Sequence, residues 1–273
     1  MLRRLRPALG TYVGIGVSDD GVIDAVEAAF AAIAQIETLL SFHASGSDLT
    51  RLNQQPGKRV TLHATSLRVL RLARAVTRAS GGAFNCTVGG TLVRNGALPD
   101  HGDVDSADML DTGNHDDIEL GSDWARLRRP VRITLDGIAK GYAVDTAVNA
   151  LQRCGISAGW VNAGGDLRVF GDMTLPVHRR ELDGQFTALG SLRQGALASS
   201  RGADAPDERH ASAMVSGMAG NPAHSPAPGI WSVLANTAWR ADALTKVACF
   251  TAPGQRAAAV ARLGGHLVTA GVA

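Results

Sequence analysis

The stretches "TLDGIAKGYAVD" at 134–145 and "WVNAGGDLRVFG" at 160–171 share one pattern. In each of them glycines follow an apolar run, and glycines at a strand exit permit a turn with positive φ or a close approach of the backbone to another group. The residues between the two turns, from about Ile138 to Arg153, are predicted to form a helix, and Gly155 suits the left-handed position that ends one. Together the stretches predict a strand, a helix and a second strand, with a glycine turn at each strand exit.

Helices and strands continue to alternate, in part, along the rest of the chain. Apolar residues between Val22 and Leu40 recur every three or four positions, which is typical of an amphipathic helix, and Thr65 to Ala79 is predicted to form another. Strands are also predicted at 129–137, 158–166, 167–171, 230–237 and 266–273, helices at 239–250 and 255–265, and surface loops at 100–123 (with a short strand) and 201–228. This order predicts an α/β or α+β protein.

Composition and charge limit the class of protein. Of the 273 residues, 45% are apolar and 19% are charged, which indicates a globular chain rather than a disordered one. A net charge of +2, without a stripe of basic residues, gives no electrostatic basis for binding nucleic acid. Three widely spaced cysteines favour a reducing compartment, and Pro7 and several glycines interrupt the basic N-terminal stretch. Since no stretch has the length of a membrane span, we expect a cytoplasmic protein without membrane insertion.

The first glycine loop, Gly137–Gly141, has two interpretations. Backbone N–H groups at the start of a helix attract anions, and Lys140 would be unfavourable in the first turn unless it faced an anion. This interpretation predicts a ligand that carries phosphate. The alternative is a tight turn between strand and helix, with an exposed lysine. The spacing matches neither the dinucleotide-binding fingerprint nor the P-loop.

Other candidate sites also have plain structural explanations. The Gly164-Gly165 pair alone is more typical of a turn than of a ligand contact, whereas the four glycines in 81–93 are consistent with backbone packed under a flat ligand. Asp242 is placed by the pattern in the first turn of a helix, where capping explains an aspartate. The histidines lack the spacing of metal ligands on one helix, and the nucleophile motif of the α/β-hydrolases is absent from the sequence.

Taken in order, six segments resemble the motifs of the FAD:protein FMN transferases, the ApbE-like family. They are "RRLRPALGTYVGI" (3–15), "SFHASGSDLTRLN" (41–53), "GGAFNCTVGG" (81–90), "GIAKGYAVD" (137–145), "VNAGGDLRVFG" (161–171) and "ADALTKV" (241–247). Each motif alone is weak, but six in register along nearly the whole chain are specific. The resemblance implies an α/β (α+β) fold, ApbE-like and T-fold-related, with two lobes in a single domain over 1–273.

The resemblance also implies an activity and a set of site residues. The family transfers the FMN moiety of FAD onto a Thr or Ser hydroxyl of an acceptor flavoprotein and releases AMP, usually with Mg²⁺. Asp242 and Lys246 are the implied catalytic residues, and the Gly137 carbonyl and the Asp242 carboxylate are the implied metal ligands. The residues implied to contact FAD are Leu9, His43, Ala83, Phe84, Asn85, Thr134, Lys140, Gly164, Gly165 and Asp166.

The chain departs from the family pattern at four positions. Thr134 replaces an Asp, Lys246 replaces a Thr one helical turn after Asp242, and Ala213 and Ser216 replace a His and an Asp. That His is the family's candidate base for the attacking hydroxyl, so base assistance of about 10²–10⁴-fold has to come from elsewhere or is absent. Two other functions therefore stay open: a non-catalytic FAD-binding or flavin-scavenging protein, and an FAD pyrophosphatase that uses water.

Asp242 and Lys246 are four residues apart, which places both on one helix face. The ammonium would either weaken Mg²⁺ binding by like-charge repulsion or neutralise the pyrophosphate of FAD directly. The alternative is a surface ion pair that contributes a few tenths of a kcal/mol.

Overall fold

A computed structural model describes residues 1–18, 22–102, 108–202 and 229–268. Within these ranges the chain forms ten strands: β1 (Leu2–Ala8), β2 (Thr11–Val17), β3 (Val60–Thr61), β4 (Ile118–Leu120), β5 (Trp124–Leu127), β6 (Gly159–Ala163), β7 (Asp166–Arg180), β8 (Phe186–Gly202), β9 (Gly229–Ala235) and β10 (Gly265–Val268). One sheet has the order β1-β2-β6-β7-β8-β9-β10, and a smaller sheet has the order β3-β5-β4. Every neighbouring pair in both sheets is antiparallel.

The helices pack against the large sheet and around the small one. Those of the described ranges are α1 (Ile23–Leu40), α2 (Asp48–Asn53), α3 (Ala64–Ala79), α4 (Gly89–Arg94), α5 (Ala139–Arg153), α6 (Ala238–Phe250) and α7 (Arg256–Arg262). Helix α5 contacts α1, α6 and the strands β6 and β7, so it lies at the centre of the helical layer. Among the described residues, no helix is both long and apolar enough to cross a membrane.

Strand β2 shows how the sequence divides the large sheet into two faces. Val13, Ile15 and Val17 alternate along the strand and are fully buried in the main core, as the period of two in a strand requires. The intervening Gly16 lies opposite Trp160 of β6, and a Cβ at this glycine would collide with the indole. The glycine therefore lets an aromatic ring cover the other face of the sheet.

Most of the predicted elements are confirmed. The predicted helices correspond to α1, α3, α5, α6 and α7, and the predicted strands at 158–166, 167–171 and 230–237 correspond to β6, β7 and β9. Of the strand predicted at 266–273, residues 266–268 belong to β10, and residues 269–273 lie outside the described ranges. Gly155 has φ +84° directly after the C-cap of α5, as its predicted role requires. The mixed α/β class is therefore confirmed.

The strand predicted at 129–137 is wrong. Residues 131–135 are buried, but they belong to neither sheet. The Asn53 side chain donates to the Ile133 carbonyl and accepts from the Ile133 N–H, at 2.8 and 2.7 Å, and the Thr134 N–H donates to the Cys86 carbonyl. The apolar alternation correctly indicates buried backbone, but side chains and loops satisfy its hydrogen bonds instead of a neighbouring strand.

Two further differences concern the ends of predicted segments. Strand β7 continues to Arg180 and pairs with β8 as a long hairpin, so the strand predicted at 167–171 is too short. The short strand predicted within 100–123 is confirmed as β4, although Asp117 at its start is buried and paired with Arg129 instead of solvated. Of the predicted loop 201–228, Arg201 and Gly202 belong to β8, and the remainder lies outside the described residues.

Helices α5 and α6 cap each other. The Asp145 carboxylate of α5 accepts the N–H groups of Ala238 and Trp239 at the start of α6, both at 2.9 Å. It also accepts from Arg168 of β7 at 2.6 Å. In return, the Asp242 carboxylate of α6 accepts the N–H of Gly141 in the first turn of α5 at 3.2 Å. These bonds satisfy N–H groups that an isolated helix leaves without partners.

Replacing Asp145 by alanine is expected to lower the free energy of unfolding by about 3 kcal/mol, because it removes the cap of α6 and leaves Arg168 without its buried partner. Urea denaturation of both proteins measures the difference. Asp172→Ala is the matched control, since that carboxylate is 90% exposed in its pair with Arg193. Equal effects of the two substitutions would contradict the capping role.

Candidate functional site

A concave cavity of about 690 Å³ lies between the β1–β2 turn, the end of α1, the start of α5, the end of β8 and α6. Cavities of this size accept small molecules and cofactors. The lining includes Leu9, Glu37, Leu40, Ser41, His43, Ala83, Phe84, Asn85, Cys86, Val88, Thr134, Asp136, Gly137, Ala139, Lys140, Ser199, Ser200, Arg201, Lys246 and Phe250. Apolar side chains and a small number of charged groups therefore share one space.

The start of α5 forms one side of the cavity, and this side is called the floor. Gly137 and Lys140 both line it, and a Cβ at Gly137 would come within 3.1 Å of the Phe84 ring and 3.4 Å of Lys246 Cε. The glycine therefore leaves space that any other residue would fill. One N–H group of this helix start, that of Gly141, is bound by Asp242 and is not available to a ligand.

Asp242 and Lys246 form a buried pair in this floor. Lys246 Nζ is 2.5 Å from Asp242 Oδ1, and the side chains are 18% and 1% exposed respectively. Asp242 and Lys246 lie on one helix face, as predicted. The alternative of a surface ion pair is wrong, because both groups are shielded from solvent. Since α6 begins at Ala238, Asp242 also lies beyond the first turn, so the predicted capping of its own helix is wrong.

Asp166 is a second buried carboxylate behind the floor. Within the described ranges, its Oδ2 has no hydrogen-bond partner, and the nearest cationic group is Lys140 Nζ at 3.9 Å. Burial, together with repulsion from Asp242, raises the pKa of Asp166 to about 7, although Lys140 and Lys246 act in the opposite direction. The carboxyl group therefore exchanges its proton near neutral pH.

The turn between β1 and β2 forms another part of the lining and is strained. Leu9 and Gly10 form the two-residue turn between β1 and β2, with φ of +56° and +67°. A positive φ is unfavourable for a leucine and costs roughly 1–2 kcal/mol. The Leu9 N–H donates to Glu37 Oε1 at 3.0 Å, which ties the turn to α1. Strain of this kind at a cavity wall is typical of a ligand site.

Comparison with known sequences assigns the chain to a family. The ApbE family model matches residues 9–269. The chain belongs to the ApbE family. The resemblance found from the six motifs is thereby confirmed.

Relatives of known structure share the ApbE fold along nearly the full chain. The ApbE protein of Thermotoga maritima has a TM-score of 0.83 at 22% identity, covering 97% of this chain and 93% of that one. The flavinyl transferase ApbE of Pseudomonas stutzeri has a TM-score of 0.79 at 19% identity, covering 96% and 88%. A curated FAD:protein FMN transferase of Klebsiella pneumoniae (strain 342) is 25% identical over 171 residues, which is 60% of this chain and 54% of the relative. The match thus spans about half the length of that curated relative.

The ApbE-family cavity collects most of the predicted site residues. Leu9, His43, Ala83, Phe84, Asn85, Thr134, Gly137, Lys140 and Lys246 all line it. Gly164, Gly165, Asp166 and Asp242 are not part of the lining. Gly164 has φ +59° and its Cα faces Thr11, so the turn between β6 and β7 explains it without a ligand. Ala213 and Ser216 lie outside the described residues.

Several lining residues were not predicted from the sequence. Ser199 and Ser200 have the character of an ordinary strand end, and Glu37 is one carboxylate in an amphipathic helix. Asp136 directly precedes the first glycine loop, and this position was the available signal. The residue is exposed to solvent, yet the protein atoms packed around its carboxyl group raise the pKa of that group, while Thr134, His43 and Lys140 act to lower it.

The residues present do not fit the expected Mg²⁺. Asp242 Oδ1 is bound by Lys246 Nζ and Oδ2 by the Gly141 N–H. An ammonium group at the single acidic ligand opposes a divalent cation by like-charge repulsion. Among the described residues, no group of three His, Cys, Asp or Glu side chains is arranged to hold a metal ion.

Asp166→Asn is expected to remove part of the pH dependence of stability. The pKa of Asp166 is about 7 in the folded protein against roughly 4 in an unfolded chain. Its contribution is therefore fully present below about pH 4 and is lost as the pH rises through 7. Compared with wild type, the variant should gain a few degrees in Tm at pH 8, since about 2–4 °C corresponds to 1 kcal/mol in a protein of this size. The gain should vanish at pH 4.

Thermal denaturation of both proteins from pH 4 to 8 provides the measurement. Asp172→Asn is the control: because the carboxylate of Asp172 is exposed, its removal should leave the dependence of Tm on pH unchanged. A difference in Tm between Asp166→Asn and wild type that is the same at every pH would contradict the raised pKa of Asp166.

Proposed function

We infer that this chain is an FAD:protein FMN transferase, which moves the FMN moiety of FAD onto a Thr or Ser hydroxyl of an acceptor flavoprotein. The composition of the lining carries this proposal. Leu9, Ala83 and Phe84 supply apolar surface that suits a flat ring system, and Lys140 and Lys246 supply ammonium groups that suit a diphosphate. The curated relative in the same family has this activity in its name.

The proposed reaction is a displacement at phosphorus. The acceptor hydroxyl oxygen forms a bond to the phosphorus of the FMN half, and the bond from that phosphorus to the bridging oxygen breaks. AMP leaves with the bridging oxygen, and the hydroxyl proton passes to a base. Because such transition states are loose, positioning and charge neutralisation supply most of the catalysis. Lys140 and Lys246 would neutralise the charge that develops on the diphosphate.

Asp136 is our candidate for the proton acceptor. It lines the cavity, and its raised pKa brings the carboxyl group closer to the range in which a general base works near neutral pH. This residue offers a replacement for the histidine that the family pattern places at Ala213.

The remaining predicted residues take supporting roles in the proposal. His43, Asn85 and Thr134 would contact FAD from the lining, while Asp166 would orient Lys140 from behind the floor. Mg²⁺ is left out of the proposed reaction, because the residues do not fit it. The three cysteines form no disulfide, which supports the proposed cytoplasmic location. We also propose that residues 1–273 act as one domain, without nucleic acid as a partner.

FMN transfer tests the proposal directly. The protein is incubated with FAD and an apo-flavoprotein that carries a Thr acceptor, and mass spectrometry detects FMN on the acceptor while chromatography detects AMP. Lys140→Met should lower the rate by about 10²-fold, because it removes one charge that stabilises the transition state. The chain has three lysines, so Lys58→Met, at an exposed site outside the cavity, is a matched control.

The same measurement separates the alternatives that Ala213 keeps open. Free FMN and AMP in equal amounts, without labelled acceptor, would indicate an FAD pyrophosphatase. Saturable FAD binding without any product would indicate a flavin-binding or scavenging protein. Either result would reject the transferase proposal.

Leu9→Asn is expected to weaken FAD binding without lowering stability. Asparagine adopts the positive φ of this turn more easily than leucine, so relief of strain offsets the loss of apolar contact. In contrast, the cavity lining loses the apolar side chain of Leu9. Titration of FAD with flavin fluorescence should show a Kd raised about tenfold, consistent with the loss of one side chain's worth of buried apolar surface. Unchanged affinity would show that Leu9 does not contact the flavin.

A further inference from the structure

Lys246 passes between the two groups that the family resemblance assigns to a metal ion. A Cβ at Gly137 would be 3.4 Å from Lys246 Cε and 3.7 Å from Cδ, so the aliphatic chain runs directly past this glycine. At the end of the chain, Nζ lies 2.5 Å from Asp242 Oδ1. The ammonium therefore occupies the side of Asp242 that faces Gly137.

Both carboxylate oxygens of Asp242 already accept a hydrogen bond, and the nearer cation is Lys246. The Asp242 side chain is 1% exposed, and its second oxygen accepts the N–H of Gly141 at 3.2 Å. Mg²⁺ requires oxygen ligands at about 2.0–2.1 Å in near-octahedral geometry and keeps several waters. Lys246 would have to leave the pair before such an ion could bind, and a charged amine would then remain beside the divalent ion.

We propose that the Lys246 ammonium is the resident cation of this site and binds the diphosphate of a flavin nucleotide directly, in place of a divalent metal. The inference rests on the proposed function for the identity of the nucleotide. The recognition of a diphosphate by a fixed positive charge is independent of that function.

The bonds of Lys246 leave room for a ligand oxygen. Besides Asp242 Oδ1, Nζ donates to Ser200 Oγ at 3.1 Å and to the Asp242 carbonyl at 3.3 Å. Ser200 lines the cavity, and its hydroxyl has a second partner in Thr245 Oγ1 at 2.7 Å. A phosphate oxygen can therefore replace one of the two longer bonds while Asp242 continues to hold the ammonium in position.

Two measurements without FAD test this inference. In the first, Mn²⁺ alone is added during thermal denaturation, since an ion that binds the folded state raises Tm. Wild type should show no shift, and Lys246→Thr, which restores the family's residue beside Asp242, should gain a shift that grows with Mn²⁺ concentration. In the second, inorganic pyrophosphate is titrated in EDTA by calorimetry. Wild type should bind it, and Lys246→Thr should bind it at least about tenfold more weakly.

A second variant covers the case in which Lys246→Thr leaves Asp242 unpaired and does not fold. Asp242→Asn with Lys246→Met removes both charges together, and it should respond to neither Mn²⁺ nor pyrophosphate. Lys58→Met should behave as wild type in both measurements.

A rise in the Tm of wild type with Mn²⁺ would overturn the inference, and so would equal pyrophosphate affinity of wild type and the Lys246 variants. Failure of FMN transfer together with the expected Mn²⁺ and pyrophosphate results would reject the transferase proposal alone. FMN transfer that requires Mg²⁺ would reject only the proposal that Lys246 takes the place of the metal ion.

Discussion

The reciprocal capping of α5 and α6 is the interaction on which the rest of the structure depends. Each helix begins where the other supplies a carboxylate: Asp145 accepts the first N–H groups of α6, and Asp242 accepts the N–H of Gly141 in α5. The helices approach this closely because Gly141 has no side chain, since a Cβ there would collide with the carbonyl oxygen of Ala238. A buried helix start costs free energy unless its N–H groups find partners, so each aspartate stabilises the crossing.

The chemistry of the cavity follows from the same crossing. The carboxylate of Asp242 that caps α5 already has a cation, because Lys246 one turn further along α6 compensates its charge. Asp166 lies behind this pair with a raised pKa and Asp136 lines the cavity, so the two ammonium groups face three carboxyl groups. The ammonium of Lys246 suits an anionic ligand, and its pairing with Asp242 limits the cost of burying it.

The local patterns predicted most of the elements but fewer of the contacts. The apolar spacing of 22–40 correctly predicts α1, and Gly155 correctly predicts the end of α5. The same reasoning fails at 129–137, because periodicity reports burial and extension but does not report which groups accept the hydrogen bonds. For the site, motif resemblance identified nine residues that line one cavity, but Glu37 and Ser200 have no distinguishing local pattern, and Asp136 is marked only by its position before the first glycine loop.

The sequence by itself determined the order of helices and strands, the positions of the glycine turns and the family. These depend on the side-chain period and on backbone conformations that only glycine adopts readily, both of which are local properties. The tertiary structure alone decided the partners of the charges. Asp242 is 101 residues from Gly141, and Asp145 is 93 residues from Ala238. Whether such a carboxylate caps a helix, holds a lysine or binds a metal depends on which donors reach it after the helices pack, and no local pattern contains that information.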